Sequence, residues 1–418
     1  MKVFKLFLLL IIASCSLLVQ KIDEPLIKED KTLKRKDVSL NYCPLDKKYD
    51  YLLVGTSQSS QEDYLSFAKG RKDLDFIDHF ALWTMLQLST RPDQSSPTSR
   101  LQVLFNDKGK SYYFDFFSEE SQDQYPYFYG IQWILKKFNK PQTLEYYARI
   151  IENSLGDRLK IGKDLANFLS KSKDAIKENK ELAPYFFRGS EILSENESVP
   201  ILSYTQIVKE FRRVEKLQKI VINTSLTKFV TESGQTGSCN YDFNLYNNSI
   251  FLIDKVIPVA NLFGLAYKNS AFMSSSSQKL DSMTSLKGFP LFKGESKIRS
   301  SAVCMIENKD HKLWTFSNQS RDPGQHLFHL IRYGLPRSQT APEVNRLIMH
   351  SRHLFLSDPT RLIIESSRSK KAQIENLLKL NLPIYNSDRL GNIWAYNMNA
   401  ESSRFIIDER NPGAFVCE

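Results

Sequence analysis

Five of the six histidines, His311, His326, His329, His350 and His353, fall within 43 residues of a 418-residue chain. His326 and His329 stand three apart behind Asp322-Pro323, a pair that opens a helix, so the two imidazoles share one face. His350 and His353 repeat the spacing after a helix expected over Pro342 to Met349. Imidazole at such spacing serves as a general base or as a transition-metal ligand, with Asp322 or Asp358 available as a carboxylate. Neither pair has the glutamate of an HExxH helix, so no metal or other cofactor is expected. Arg299, Arg321, Arg332, Arg337, Arg346, Arg352, Arg361, Arg368 and Arg389 thread the same region. Their guanidinium forks suit phosphate, carboxylate or sulfate. The chemistry these residues suggest is hydrolysis of a phosphorylated or anionic substrate, with His326, His329, His350 and His353 as the candidate catalytic centre.

Other catalytic signatures are absent. The chain has no GxSxG, and SxxK at Ser66 to Lys69, Ser170 to Lys173 and Ser367 to Lys370 has no accompanying KTG. Gly109-Lys110-Ser111 ends like a phosphate loop, but Leu104 stands where its first glycine belongs. His79, between Asp78 and Phe80, reads as a core-edge histidine. These absences favour a non-catalytic binding role as the leading function and leave the hydrolase as the alternative.

Hydrophobic residues at 41% and charged residues at 25%, with 16 Gly and 16 Pro, exclude collagen-like and wholly disordered chains. The elements that must position the histidines divide, on this reading, into a mainly helical region with one hairpin (49–235) and an α+β region (236–418), an α+β fold overall. A strand is expected over Tyr49 to Thr56 and a helix over Asp73 to Leu88. RLQVLF-NDKGK-SYYFDFF, residues 100 to 117, reads as a hairpin. Helices are expected over Tyr127 to Phe138, Gln142 to Asn153, Gly162 to Asn179 and Thr205 to Ile222. TESGQTGSCNY, residues 231 to 241, reads as the boundary. Strands follow at Asn240 to Tyr246, Ile250 to Val256, Leu265 to Phe272, Lys297 to Glu307, Leu313 to Asn318, Arg361 to Ser366, Ile393 to Asn397 and Arg404 to Asp408. Between the first three of these and the rest, the serine-rich run Ser274 to Ser285 reads as an exposed loop. Lys370 to Leu380 reads as a helix and Leu382 to Tyr385 as a short strand.

The N-terminus carries a different signal. Lys2 and Lys5 precede an uncharged apolar run, Leu6 to Ala13, too short to span a bilayer. It ends Ile12-Ala13-Ser14-Cys15, which resembles the lipobox of bacterial lipoproteins. That resemblance, confined to residues 1 to 15, implies removal of residues 1–14 as a signal peptide and acylation of Cys15 with palmitate-like chains. Ser16, in place of the Asp that causes inner-membrane retention, implies an outer-membrane, cell-envelope location. Residues 15–48, mixed in charge, are expected to act as a flexible tether.

Lipidation of Cys15 leaves an even four cysteines, Cys43, Cys239, Cys304 and Cys417, with no CxxC spacing that would mark zinc or redox chemistry. Disulfides are expected; four cysteines allow three pairings that spacing does not decide, and the pairing expected is Cys239 with Cys304 and Cys43 with Cys417, the second because chain termini often lie close together. The formal charge of +10 falls by two with the signal and suits anionic lipid, polysaccharide or a protein partner. It does not by itself point to nucleic acid. The expected partner is therefore the membrane, through the lipid anchor.

Overall fold

In the computed structural model, described residues are 41–418 apart from 121–122, 156–158, 200–201, 233, 241–258, 287, 297–300, 309, 321, 358–359, 401 and 411–412. The signal peptide, Cys15 and the lipobox lie outside the described residues. So do the expected strand at Ile250 to Val256 and most of that at Asn240 to Tyr246.

The fold is α+β, with two sheets face to face and helices on both outer sides. Strands β1 (Tyr51–Gly55), β2 (Arg100–Asp107), β3 (Lys110–Phe117), β6 (Val221–Asn223), β9 (Val259–Tyr267), β10 (Ser270–Leu286), β11 (Phe289–Glu295) and β19 (Ala414–Cys417) form an eight-stranded sheet. Its order is β19-β1-β9-β10-β2-β3-β6, with β11 paired to β10. The second sheet runs β18 (Ser403–Ile406), β17 (Asn392–Asn399), β13 (His311–Asn318), β12 (Ser301–Glu307), β8 (Thr236–Asn240) and β7 (Thr227–Val230). A short hairpin, β4 (Phe187–Arg188) and β5 (Glu191–Ile192), stands apart.

Strand alternation builds the layers. Leu101, Val103 and Phe105 of β2 pack against helices, whereas Leu104 joins Leu262, Met273, Trp314, Phe316, Trp394 and Tyr396 between the sheets. The helices over the larger sheet include α1 (Gln58–Lys69), α2 (Phe76–Thr90), α3 (Pro126–Lys137) and α4 (Leu144–Ser154). They continue through α5 (Lys163–Lys171), α6 (Lys173–Glu178), α7 (Ala183–Phe186) and α8 (Tyr204–Val214). Helix α2 is apolar nearly all round and buried along its whole length, opened by a capping box between Asp75 and Asp78. Helices α9 (Pro323–Arg332) and α10 (Ala341–Ile348) cover the smaller sheet through Leu327, Leu330, Val344 and Ile348.

A third, smaller sheet carries β14 (His353–Ser357), β15 (Thr360–Ile364) and β16 (Ile384–Asn386), with α11 (Lys371–Leu378) crossing between the parallel strands β15 and β16. It is joined to the body by a buried ion network. Arg410 reaches Glu365 through two bonds of 2.6 Å, and Arg352 reaches Asp408 at 2.6 Å.

Several expectations are corrected. The division at 235/236 does not separate two layers, because β1, β2, β3 and β6 share a sheet with β9, β10, β11 and β19. Within the polar break at 231–241, Thr231 and Gln235 close the β7–β8 hairpin and Thr236–Asn240 is its second strand. The strand expected at Leu265 to Phe272 is two strands with Lys268-Asn269 as their turn. The serine run from Ser274 lies in β10, and Ser274 to Ser277 are buried. Two of its hydroxyls find partners in neighbouring layers, Ser276 with Ser95 and Ser275 with Ser301, so a run whose polar composition imitates a loop is buried in a strand. The helix expected to Ile222 stops at Val214, and Val221–Asn223 pairs with β3 instead. Gly162 to Asn179 is two helices broken at Ser172.

The tether is also shorter than expected. Tyr42 and Cys43 are buried, and Arg404 donates to the carbonyls of Cys43, Pro44 and Lys47. Both expected disulfides are present. Cys239–Cys304 links directly paired residues of β8 and β12, and Cys43–Cys417 ties the N-terminal segment to the last strand.

Candidate active site

One end of the double sheet is polar. Strand register brings Arg100, Ser277, Ala260, Ser301, Asn318 and Asn392 to it, because Arg100 pairs with Ser277, Ser277 with Ala260, and Asn318 with both Ser301 and Asn392. Asn318 Nδ2 bridges the sheets to the Ala260 carbonyl at 2.9 Å. Arg100 makes a two-pronged pair with Asp115 at 2.7 and 2.6 Å, both groups buried. The Asp115 carboxylate also accepts from Tyr113 Oη at 3.1 Å. Burial pushes the Tyr113 hydroxyl well above its ordinary range, and the adjacent Asp115 charge adds to this.

Just beyond Asn318 the chain leaves β13 and enters α9, and here a serine meets a histidine. Ser320 Oγ lies 2.8 Å from His326 Nε2. The Asp322 backbone N–H donates to Ser320 Oγ at 3.2 Å, and the hydroxyl proton remains available for the ring. Asp322 caps α9 by accepting from the Gln325 N–H, fixing the turn that carries Ser320. His326 is 1% exposed and Ser320 9%. Burial holds His326 well below its ordinary pKa, and the charges of Arg352 and Arg410 reinforce this. Burial therefore keeps the ring neutral, and in the tautomer with its proton on Nδ1 the Nε2 lone pair accepts from Ser320 Oγ. His326 Nδ1 has no hydrogen-bond partner among the described residues. Gly391, at φ +69°, lies against this ring; a Cβ there would come within 2.9 Å of His326 Cδ2.

The other predicted histidines meet one turn further along. His329, on the same face of α9, stacks on His353 at the start of β14, ring centroids 4.0 Å apart. The ring of Tyr333 lies 4.9 Å from His350. His350 Nδ1 is 3.0 Å from the Ser351 carbonyl. Burial lowers His329 to about 4 and also lowers His353. The four candidates thus divide: His326 faces a hydroxyl, whereas His329, His350 and His353 line a seam between α9 and the small sheet. His311 is elsewhere, bonded to Asn397 at 2.9 Å. His79 is buried against Tyr64 Oη at 2.9 Å, as a core histidine should be.

No group of three or more metal-ligating side chains occurs among the described residues. Arg299, Arg321 and Asp358 lie outside them. Of the remaining arginines, Arg352 and Arg368 are committed to Asp408 and Glu409. Arg332 and Arg337 line a groove of about 460 Å³ with Phe229, Val230 and Phe328, and His326 is not part of its wall.

Sequence reasoning missed Ser320, Arg100 and Asp115. Arg100 and Asp115 were readable as opposite charges facing across the hairpin expected at 100 to 117. Ser320 has a weaker signal: two residues before a helix cap it reads as a turn serine, and only the tertiary approach of His326 changes that.

No protein-family model matches the chain, and no curated protein matches it. Solved structures do. Cephalosporin acylase from Bacillus halodurans superposes with a TM-score of 0.56 at 9% identity, over 93% of this chain and 99% of the acylase. Two LmbA2991 structures superpose at TM-scores of 0.58 and 0.56, with 7% and 8% identity, over 90% of this chain and 100% and 99% of theirs. At these identities the likeness is one of fold alone.

Proposed function

We propose that this chain is an envelope hydrolase of acyl bonds, amide or ester, with Ser320 as nucleophile and His326 as general base. The observation that carries the reading is the 2.8 Å contact from Ser320 Oγ to the acceptor nitrogen of a neutral imidazole. The fold shared with an acylase supports the bond class. In the first step Oγ attacks the acyl carbon while its proton passes to Nε2, and the imidazolium then protonates the departing amine or alcohol. Water, deprotonated by the same nitrogen, attacks the resulting acyl-serine and releases the carboxylic acid, returning the proton to Oγ. The lipobox supports a chain held by acyl groups on Cys15 at the outer membrane, where this chemistry would meet envelope substrates.

The test is turnover of a panel of acyl p-nitroanilides and p-nitrophenyl esters. Ser320→Ala should lower kcat by roughly a thousandfold or more while leaving the fold intact. Turnover unchanged in that variant would defeat the assignment.

A second reading, a non-catalytic binding protein, is favoured by the burial of both members of the pair. The shared fold does not by itself transfer a mechanism either. An N-terminal nucleophile needs a Ser, Thr or Cys with a free amine. The strands β2, β9, β12 and β17 that begin at the polar end open with Arg100, Val259, Ser301 and Asn392. Only Ser301 carries a hydroxyl, and its nitrogen is an amide within the chain. Intact mass of the mature protein separates these cases: an uncut chain beginning with acylated Cys15 agrees with the proposal, whereas a cut before Ser301 would move the nucleophile there.

A further inference from the structure

We infer that helix α11 and the turn after it form a surface that rests on anionic lipid. Within α11, no residue is fully buried; Gln373, Ile374 and Leu377 are half-buried. Outward it presents Leu378 and, just past its end, Leu380, which are 57% and 56% exposed. Asn381, at φ +53°, ends the helix in a tight turn that leaves Leu378-Lys379-Leu380 as a projecting tip. Lys379 stands within this tip, and Lys370 and Lys371 open the helix two turns away, with Glu375 3.8 Å from Lys371. Apolar side chains with lysines along the same short helix suit the boundary between head groups and acyl chains, where leucine enters the apolar layer and ammonium stays with phosphate.

Where the described chain begins favours lipid over a protein partner. Asn41 Nδ2 donates to Asn345 Oδ1 at 3.3 Å and approaches Met349 Sδ at 3.6 Å, at the C-terminal end of α10. Two residues on from Met349, Ser351 Oγ donates to Gln373 Oε1 of α11 at 3.0 Å. The described chain therefore begins close to α11. The 25 residues between Cys15 and Asn41 have contour length enough for the anchor and this patch to reach one membrane together. A weak surface contact then acts at high effective concentration. This step rests on the lipid-anchor reading, whereas the patch itself does not.

The test uses the full mature chain made without lipid, as Cys15→Ser, in sedimentation with vesicles of 7:3 phosphatidylcholine to phosphatidylglycerol. Binding should be measurable at low salt and should disappear with pure phosphatidylcholine. The double variant Lys370→Gln, Lys379→Gln should weaken it by roughly thirtyfold, the equivalent of about 1 kcal/mol for each basic residue near an anionic surface. Leu378→Ser with Leu380→Ser should also lose binding, while Leu217→Ser, at an exposed leucine elsewhere, should keep it. Equal binding by all variants, or none by the unlipidated parent, overturns the proposal. Because the probe chain carries no lipid, a failure of the anchor reading shows separately, as missing acyl mass on the wild-type protein.

Discussion

His326 and His329 sit one helical turn apart on α9, yet their surroundings make them different chemical groups. His326 faces the polar end of the double sheet, where the Ser320 hydroxyl supplies a donor and Gly391 leaves room for the ring. His329 faces the small sheet, where it meets another imidazole, His353, and no hydrogen bond to its Nδ1 occurs among the described residues. Both are held neutral chiefly by burial. The difference lies in the neighbour: a hydroxyl turns a buried neutral imidazole into a base with a proton to take, whereas a second ring gives it only packing.

The largest expected effect tests what holds the seam together. Arg410 is fully buried and joined to Glu365 and Asp408, which are buried as well. Arg410→Ala leaves Glu365 without its cation and Asp408 with Arg352 alone, and should cost about 3 to 5 kcal/mol in urea unfolding. Because Glu365 belongs to the small sheet and Asp408 to the body, hydrogen exchange should rise first in β14 to β16. Uniform loss across the chain would mean that the small sheet is not a separately anchored unit.

Next comes the contrast between the two histidines. His326→Ala removes a fully buried ring and the acceptor of Ser320, so it should destabilise by about 2 kcal/mol or more. It should also abolish acyl turnover. His329→Ala, at a half-buried position, should cost about 1 kcal/mol and leave turnover in place. Equal effects on turnover would erase the distinction between the polar end and the seam.

The smallest effect is a pH dependence. His329 titrates near 4 in the folded chain against 6.5 for the free side chain, and His353 is lowered as well. Between those values the unfolded chain binds more protons than the folded one. Stability should therefore be full above about pH 6.5 and should fall as pH descends toward 4. The chemical-denaturation midpoint followed over that window should show a shallower fall in His329→Gln. An unchanged slope in that variant would place the acid sensitivity elsewhere.

Much of the framework was legible because it is local. The hairpin at 100 to 117, the helix behind Asp322-Pro323 and the β15-α11-β16 crossover all follow from apolar periodicity and capping chemistry. The serine run of β10 was not, since the partners of Ser276 and Ser275 are Ser95 and Ser301, the first distant in sequence. For the same reason the candidate site was half-visible. Spacing placed His326 and His329 on one face, but which of them meets a hydroxyl depends on how α9 lies across β13 and Gly391. The two disulfides were reachable by counting, once one cysteine was assigned to the lipobox.

Reaction with a fluorophosphonate probe, followed by peptide mapping, tests the central claim most directly. The reagent phosphonylates a serine oxygen only where a base takes its proton. The account predicts one modified residue, Ser320, with labelling lost in His326→Ala and retained in His329→Ala. No labelling of the folded protein, or labelling at another serine such as Ser301, would contradict it.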